Sequence, residues 1–253
     1  MIRKKKDKIE WLEFELLADI PGLVHAVFLR HGGTSQGPYA SLNVHGAPVD
    51  DDLENVKRNM EKIREVIGLP LLYKTQTHTK NVEYVPSQRF QEVDDCDGLI
   101  TKEKNLGLLV KHADCQAAIF YDPIQRAIAN VHCGWRGNVQ NIYAETIAKM
   151  QAHTGSRPEN ILVCVSPSLG PDASEFINHE RELPKEFLKF QFKPLHFDLW
   201  EISRQQLIDA GIVPEHIEIA RMCTYSNPDD FFSYRRDKRV TGHHATVVGL
   251  RNG

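Results

Sequence analysis

Three points in this sequence offer side chains that can hold a metal ion. Gln76-Thr77-His78, His112-Ala113-Asp114-Cys115 and His132-Cys133 bring imidazole, thiolate and carboxylate groups. Imidazole nitrogen and thiolate sulfur both suit zinc, and a catalytic zinc site has three protein ligands and one open position. The three points lie far apart in the chain, so the spacing lacks the local signature of a CxxC finger. Taken singly, each residue also has an ordinary reading. A histidine usually makes plain hydrogen bonds, and a cysteine at a strand border usually acts as a small buried hydrophobe.

A second chemistry on offer is anion binding. Gly134-Trp135-Arg136-Gly137 would turn a strand into a helix whose N-terminus favours an anion, with Arg136 adding a fork of donors. The alternative is a turn with a surface arginine and a core tryptophan. Near the C-terminus, Phe232-Ser233-Tyr234-Arg235-Arg236-Asp237 sets two arginines beside a tyrosine, suited to an anion or a base, or else forming a solvated turn with an Arg–Asp pair. Leu29-Arg30-His31-Gly32-Gly33-Thr34-Ser35 bears glycines but lacks the spacing of a P-loop or dinucleotide fingerprint, which disfavours a nucleoside triphosphate role.

The elements that must position these groups are short β-rich runs alternating with a few helices. Leu53, Val56, Met60, Ile63 and Ile67 recur at helical steps and predict a helix over about 52–67, with Asp51 and Glu54 as a capping box and Gly68-Leu69-Pro70 as the stop. A second helix is expected over 138–152, with Ile142, Tyr143, Ile147 and Met150 on one face, and a third from near Asp198 to before Gly211. The expected strands are Val24–Arg30, Leu71–Thr77, Leu106–Lys111, Ala117–Tyr121, Ala127–His132, Ile161–Val165, Ile217–Met222 and Ala245–Leu250. Several are continuous apolar runs, as in sheets covered on both faces, and mixed sheets layered with helices fit the pattern.

Bulk properties bound the function. The chain has 253 residues, 41% hydrophobic and 26% charged, which supports a real core and a single domain over 1–253. The net charge of −3 gives no global field for nucleic acid. Arg3-Lys4-Lys5-Lys6 reads as a solvated N-terminal tail, since Asp7 and Glu10 follow at once. No window matches a signal peptide or a membrane span. Five dispersed cysteines argue against a disulfide framework and for a reducing cytoplasm.

Together these segments resemble the laccase-domain or polyphenol oxidase family, also called peptidoglycan editing factor, whose members include purine nucleoside phosphorylases. The resemblance is carried by RHGGTS and PYASLNV within 30–44, DDLENVKRN at 51–59, QTH at 76–78, DGLIT at 97–101, HADC at 112–115, HCGWRG at 132–137, and SYRRD with TGHHA at 233–245. It implies an α+β fold, a layered α/β/β/α sandwich with mixed β-sheets. It implies metal ligands at His78, Cys115 and His132, and substrate or phosphate roles for Arg30, Asn43 and Arg136, with Arg235 a further candidate. Its implied activities are phosphorolysis of adenosine, inosine and methylthioadenosine, with adenosine deamination in the same site. Zn²⁺ is the expected ion; Cu²⁺ is the alternative, because it generally binds such ligands more tightly.

Asp114, beside a proposed ligand, is the carboxylate expected to move a proton or orient a ligand imidazole. Cys133 and His112 depart from the family pattern and put extra groups near the metal. The expected partners are purine nucleosides and phosphate, without nucleic acid or membrane, for a monomer or small homo-oligomer. Two rival activities are a copper-dependent polyphenol oxidase and a Cys-His hydrolase editing peptidoglycan precursors, with Cys115 as nucleophile. A structural zinc completed by Cys133 is a non-enzymatic third. The 12 histidines include no His-x-His pair of the multicopper type.

Overall fold

The computed structural model describes residues 1–46, 51–86 and 95–252. In chain order, its strands are β1 (Ile2–Lys6), β2 (Ile9–Glu13), β3 (Leu23–Phe28), β4 (Leu71–Leu72), β5 (Val82–Val85), β6 (Gly98–Thr101), β7 (Leu106–His112), β8 (Gln116–Asp122), β9 (Ala127–Cys133), β10 (Leu162–Val165), β11 (Gln191–Lys193), β12 (His196–Phe197), β13 (Ile217–Ile219) and β14 (His244–Leu250). The α-helices are α1 (Leu53–Ile67), α2 (Trp135–Gln140), α3 (Ile142–Thr154), α4 (His179–Glu182) and α5 (Leu199–Asp209).

Two six-stranded sheets form, in the orders β1-β2-β3-β14-β7-β4 and β13-β10-β8-β9-β6-β5. Both are mixed, with β4–β7, β5–β6 and β10–β13 parallel and their other pairings antiparallel. Leu12, Val27, Leu108 and Val248 from one sheet meet Leu99, Ile119, Ile128 and Cys164 from the other in a shared core. The outer face of the first sheet packs Phe28, Leu109 and Val247 against Met60, Ile63 and Ile67 of α1. The outer face of the second packs Phe120, Val131 and Val163 against Tyr143, Ile147 and Met150 of α3 and Leu207 of α5. The result is the expected α/β/β/α sandwich. The central strands β8, β9 and β14 are buried along their whole length, as their apolar runs require. One polar residue joins the layers: Asn130 of β9, 1% exposed, donates to the carbonyls of Leu108 at 2.9 Å and Thr246 at 2.8 Å.

Several elements differ from expectation for local reasons. The N-terminal residues are not a tail. β1 and β2 pair as a hairpin around Asp7, whose positive φ of 55° suits a tight loop, and Ile9 and Leu12 are buried. Arg3 closes this edge on Glu10 and Asp230. Helix α1 is capped by Asp52, whose side chain accepts from Glu54 N, while Asp51 accepts from Ser35 and Asn43. Leu53 is exposed, and the buried face includes Asn59 instead. The expected 138–152 helix is two helices broken at Asn141, which is left-handed and accepts from Ala144 N as the cap of α3. The expected strand Leu71–Thr77 pairs only at β4. Beyond it the Gln76 amide takes over, accepting from Lys111 N at 2.8 Å and donating to Lys111 O at 2.6 Å. Strand Ile217–Met222 likewise pairs only over β13. All five cysteines are free. Among the described residues, no helix is long and apolar enough to cross a membrane.

Asn130→Ala leaves two inter-sheet hydrogen bonds unmade and is expected to lower unfolding free energy by about 2 kcal/mol; an unchanged urea midpoint contradicts the bridging role. Burial holds the imidazoles of His25 and His244 down, at about 4 and about 3, and each accepts a backbone N–H, from Phe14 and Phe232. A depressed histidine stabilises the fold above its unfolded pKa of about 6.5, and that contribution is lost as pH falls toward the folded value. Urea midpoints are therefore expected to drop between pH 7 and pH 5, and a higher midpoint at pH 5 refutes this origin.

Candidate metal centre and cleft

The two sheets exchange the chain at one end of the sandwich, and the three candidate ligand side chains meet there. The link from β4 in the first sheet to β5 in the second carries His78. The turn from β7 to β8 crosses the same way and carries Asp114, with a positive φ of 79°, and then Cys115. His132 stands near the end of β9, beside Ala117 of β8. The ligand atoms of His78, Cys115 and His132 all lie within 4.8 Å of one another, and Cys115 Sγ is 4.0 Å from His78 Nε2. The two imidazole rings meet edge to face, with centroids 4.8 Å apart.

Asp97, which the sequence reading passed over, fixes this arrangement. Its carboxylate is 1% exposed. Oδ1 takes His132 Nδ1 at 2.8 Å and the His78 N–H at 3.0 Å. Oδ2 accepts the N–H groups of Thr77 and Thr79 and both threonine hydroxyls. These bonds hold His78 at a positive φ of 59°, a conformation rare for a residue with a Cβ. They also commit the His132 Nδ1 proton to Asp97, which leaves Nε2 for the cluster. Asp114 does not orient an imidazole. It accepts from Thr224 Oγ1 at 2.6 Å and from Arg235 N at 2.7 Å, tying the C-terminal loop to the β7–β8 turn.

Charge alternates along this chain of groups. Burial alone would raise the Cys115 thiol, but the charge and hydrogen bond of His132, with a hydrogen bond from His78, outweigh it and hold the thiol at about 6. Burial alone would lower His132, but Cys115 and Asp97 outweigh it and hold the imidazolium up at about 9. Asp97 also overcomes burial, through His132 and Thr79, and sits at about 2. A carboxylate, an imidazolium and a thiolate therefore stand in a row. A metal ion can replace the proton that His132 and Cys115 otherwise share.

The surroundings leave room for an ion. A Cβ at Gly134 would lie 3.0 Å from Cys115 Sγ and 3.1 Å from His78 Cδ2, crowding both ligands, and glycine relieves this. Ligand atoms of a tetrahedral zinc stand about 3.3–3.6 Å apart, so the three atoms here, 4.0 Å apart for Cys115 and His78 and within 4.8 Å overall, would draw together around an ion. Neither extra group joins the cluster. Cys133, next to His132 on β9, alternates to the opposite face and packs in the core under the helices, where burial raises its thiol. His112 is buried and bonds to Thr246 Oγ1 at 2.7 Å. A structural site completed by Cys133 therefore has no geometric basis.

The cluster opens into a cleft of about 1250 Å³. Trp135, Phe176, Tyr73 and Tyr234 supply aromatic wall, and Lys111, Arg136, Arg235, Lys238 and Arg239 supply positive charge. Arg136 lies over the Trp135 ring at 4.3 Å, and Arg235 Nη1 donates to Glu175 O. The neighbouring Arg236 is the paired one, bound to Asp237. Arg30 and Asn43 do not line the cleft. The Arg30 guanidinium is occupied by the carbonyls of Ala40 and Pro228 and lies on Phe232. Asn43 is fully buried and accepts the backbone N–H groups of His45 and His243, two cleft residues to which the sequence assigned no role.

With this geometry in view, the comparisons are consistent. The profile of a family described as multi-copper polyphenol oxidoreductase laccase matches residues 24–251. A Bacteroides thetaiotaomicron protein named purine nucleoside phosphorylase is 34% identical over 93% of this chain and 94% of its own length. A Bacillus subtilis protein named purine nucleoside phosphorylase YlmD is 30% identical over 88% of this chain and 86% of its own. The crystal structure of YlmD from Geobacillus stearothermophilus superposes with a TM-score of 0.87 at 28% identity, covering 99% of both chains.

Asp97→Asn keeps the shape but removes the charge that orients His132. Metal affinity, measured by chelator competition, is expected to fall about 10- to 100-fold. Unchanged affinity contradicts the orienting role.

Proposed function

The chain belongs to the multi-copper polyphenol oxidoreductase laccase family, and from that membership we propose that it is a zinc-dependent purine nucleoside phosphorylase working in the cytoplasm as one catalytic domain. The observation that carries the reading is the His78, Cys115 and His132 cluster opening into a large cleft with aromatic and cationic walls. The relatives named purine nucleoside phosphorylase support the substrate class. Two imidazoles and a thiolate, with no fourth protein ligand close by among the described residues, match an open zinc site better than a structural one. A multicopper oxidase needs several imidazole-rich centres, and a single cluster of three ligands is found among the described residues. That favours phosphorolysis over phenol oxidation.

Phosphorolysis joins a phosphate oxygen to C1′ of the ribose while the C1′–N9 bond breaks. The electron pair leaves on the purine, which takes up a proton. Zinc, when bound, supplies Lewis-acid polarisation of a substrate atom. The chain itself binds and orients. Aromatic side chains such as Trp135 and Tyr234 offer faces for the base. Arg136 and Arg235, both exposed at the mouth, draw phosphate inward. Asp114 positions Arg235 through its backbone N–H. Asp97 keeps His132 in one tautomer. The substrates in this reading are adenosine, inosine and methylthioadenosine, and adenosine deamination belongs to the same cleft.

A second reading rests on one observation. Asp97, His132 and Cys115 also form the sequence of contacts of a Cys-His-Asp nucleophile, as a hydrolase acting on peptidoglycan precursors would use. Incubating the protein with each nucleoside, with and without phosphate, separates the readings. Release of free base and ribose 1-phosphate only with phosphate is expected, with activity lost to chelators. Cys115→Ala is expected to remove bound zinc and at least about 100-fold of the activity together. Activity that resists chelators but is lost to alkylation favours the hydrolase.

A further inference from the structure

A pair of imidazoles in the cleft wall has no role in the reading so far. His45 and His243 lie ring to ring, with centroids 4.2 Å apart. One buried residue holds both. Asn43 Oδ1 accepts the His45 N–H at 3.0 Å and the His243 N–H at 2.9 Å. Asn43 Nδ2 donates to His45 O and to Asp51 Oδ2, and Asn59 of α1 donates to Asn43 O at 2.8 Å. Asp51 also accepts from Ser35, and Asn59 from Thr34. The network runs from the helix layer to the cleft and anchors the backbone of two histidines that share no strand.

The chemistry of the pair points to an anion. His243 Nδ1 is buried and has no partner among the described residues, although the ring lines the cleft. Burial lowers His45 and then Lys111 lowers it further; burial also lowers His243 well below its usual value, with His45 next. Burial thus favours the neutral form of both rings, each with one N–H to donate. Lys111 lies close enough to both for its charge to be felt, and its ammonium rests over the Tyr73 ring at 4.3 Å. His243 also feels His132, and His45, His243 and Lys111 line the same cleft as the metal cluster. Two N–H donors and an ammonium suit a tetrahedral oxyanion better than a neutral base or sugar.

We propose that His45, His243 and Lys111 form the subsite that binds inorganic phosphate, held in place by Asn43. The assignment rests on the phosphorylase reading for its place in the reaction, but phosphate binding can be measured without it.

The test uses metal-loaded protein. Inorganic phosphate is titrated calorimetrically into wild type, His243→Phe, His45→Phe and Lys111→Met, and KM for phosphate and for inosine are measured in the same set. The phenylalanine variants keep the ring contact and remove the nitrogens. Phosphate Kd and KM are expected to rise about 10-fold in each variant, from loss of one charge-assisted hydrogen bond, with inosine KM changing less than about twofold. Lys111→Met alters a partly exposed side chain, so it reports even where a histidine variant fails to fold. Unchanged phosphate Kd in Lys111→Met and in the folded histidine variants overturns the subsite, as does a wild type that binds no phosphate. A wild type that binds phosphate through these residues but cleaves no nucleoside overturns the phosphorylase reading and leaves the subsite standing.

Discussion

The buried carboxylate of Asp97 is the constraint on which the rest of the site depends. An ionised carboxylate out of water is costly unless its oxygens are filled, and here N–H groups, hydroxyls and an imidazole fill them. Satisfying that charge shapes the 77–79 segment, sets His78 in its left-handed conformation and selects the His132 tautomer. Two of the three candidate ligands are thus fixed by one residue that would touch no ion. The third, Cys115, follows from topology, because the β7–β8 turn must cross from one sheet to the other at this end.

The same crossing explains why chemistry gathers at one end of the sandwich. Layers joined by Asn130 and a shared apolar core form a rigid base, and the loops that pass between sheets carry the polar groups. Two further positioning residues repeat the pattern of Asp97. Asp114 holds the arginine-bearing C-terminal loop, and Asn43 holds the backbone of two histidines. Asp97 and Asn43 are buried and Asp114 half-buried, and each accepts backbone N–H groups of residues at the cleft.

Much of this was legible in the sequence. The apolar runs of β7, β8, β9 and β14 and the helical periodicity of α1 depend on local burial patterns, which sequence records directly. His78, Cys115 and His132 were legible as strand-end ligands, and the family motifs tied them together. Asp97 was not, because an acid before an apolar strand has the same local signature whether it is solvated or buried. Arg30 and Asn43 carried motif status, but their bonds go to scaffold groups, from nearby Ala40, His45 and Asp51 to distant Pro228 and His243. The N-terminal lysines resembled a tail because alternation in β1 is hidden by an edge strand whose side chains are mostly exposed. The early end of β4 reflects a side-chain amide replacing the ladder, which no periodicity encodes.

In the proposed enzyme, His78, Cys115 and His132 together hold one zinc ion. X-ray absorption at the zinc edge on purified, active protein tests it most directly. The account predicts one zinc per chain, with one sulfur at about 2.3 Å and two imidazole nitrogens at about 2.0–2.1 Å in its first shell. A shell without sulfur, a shell with two sulfurs, or full activity with no metal would contradict it.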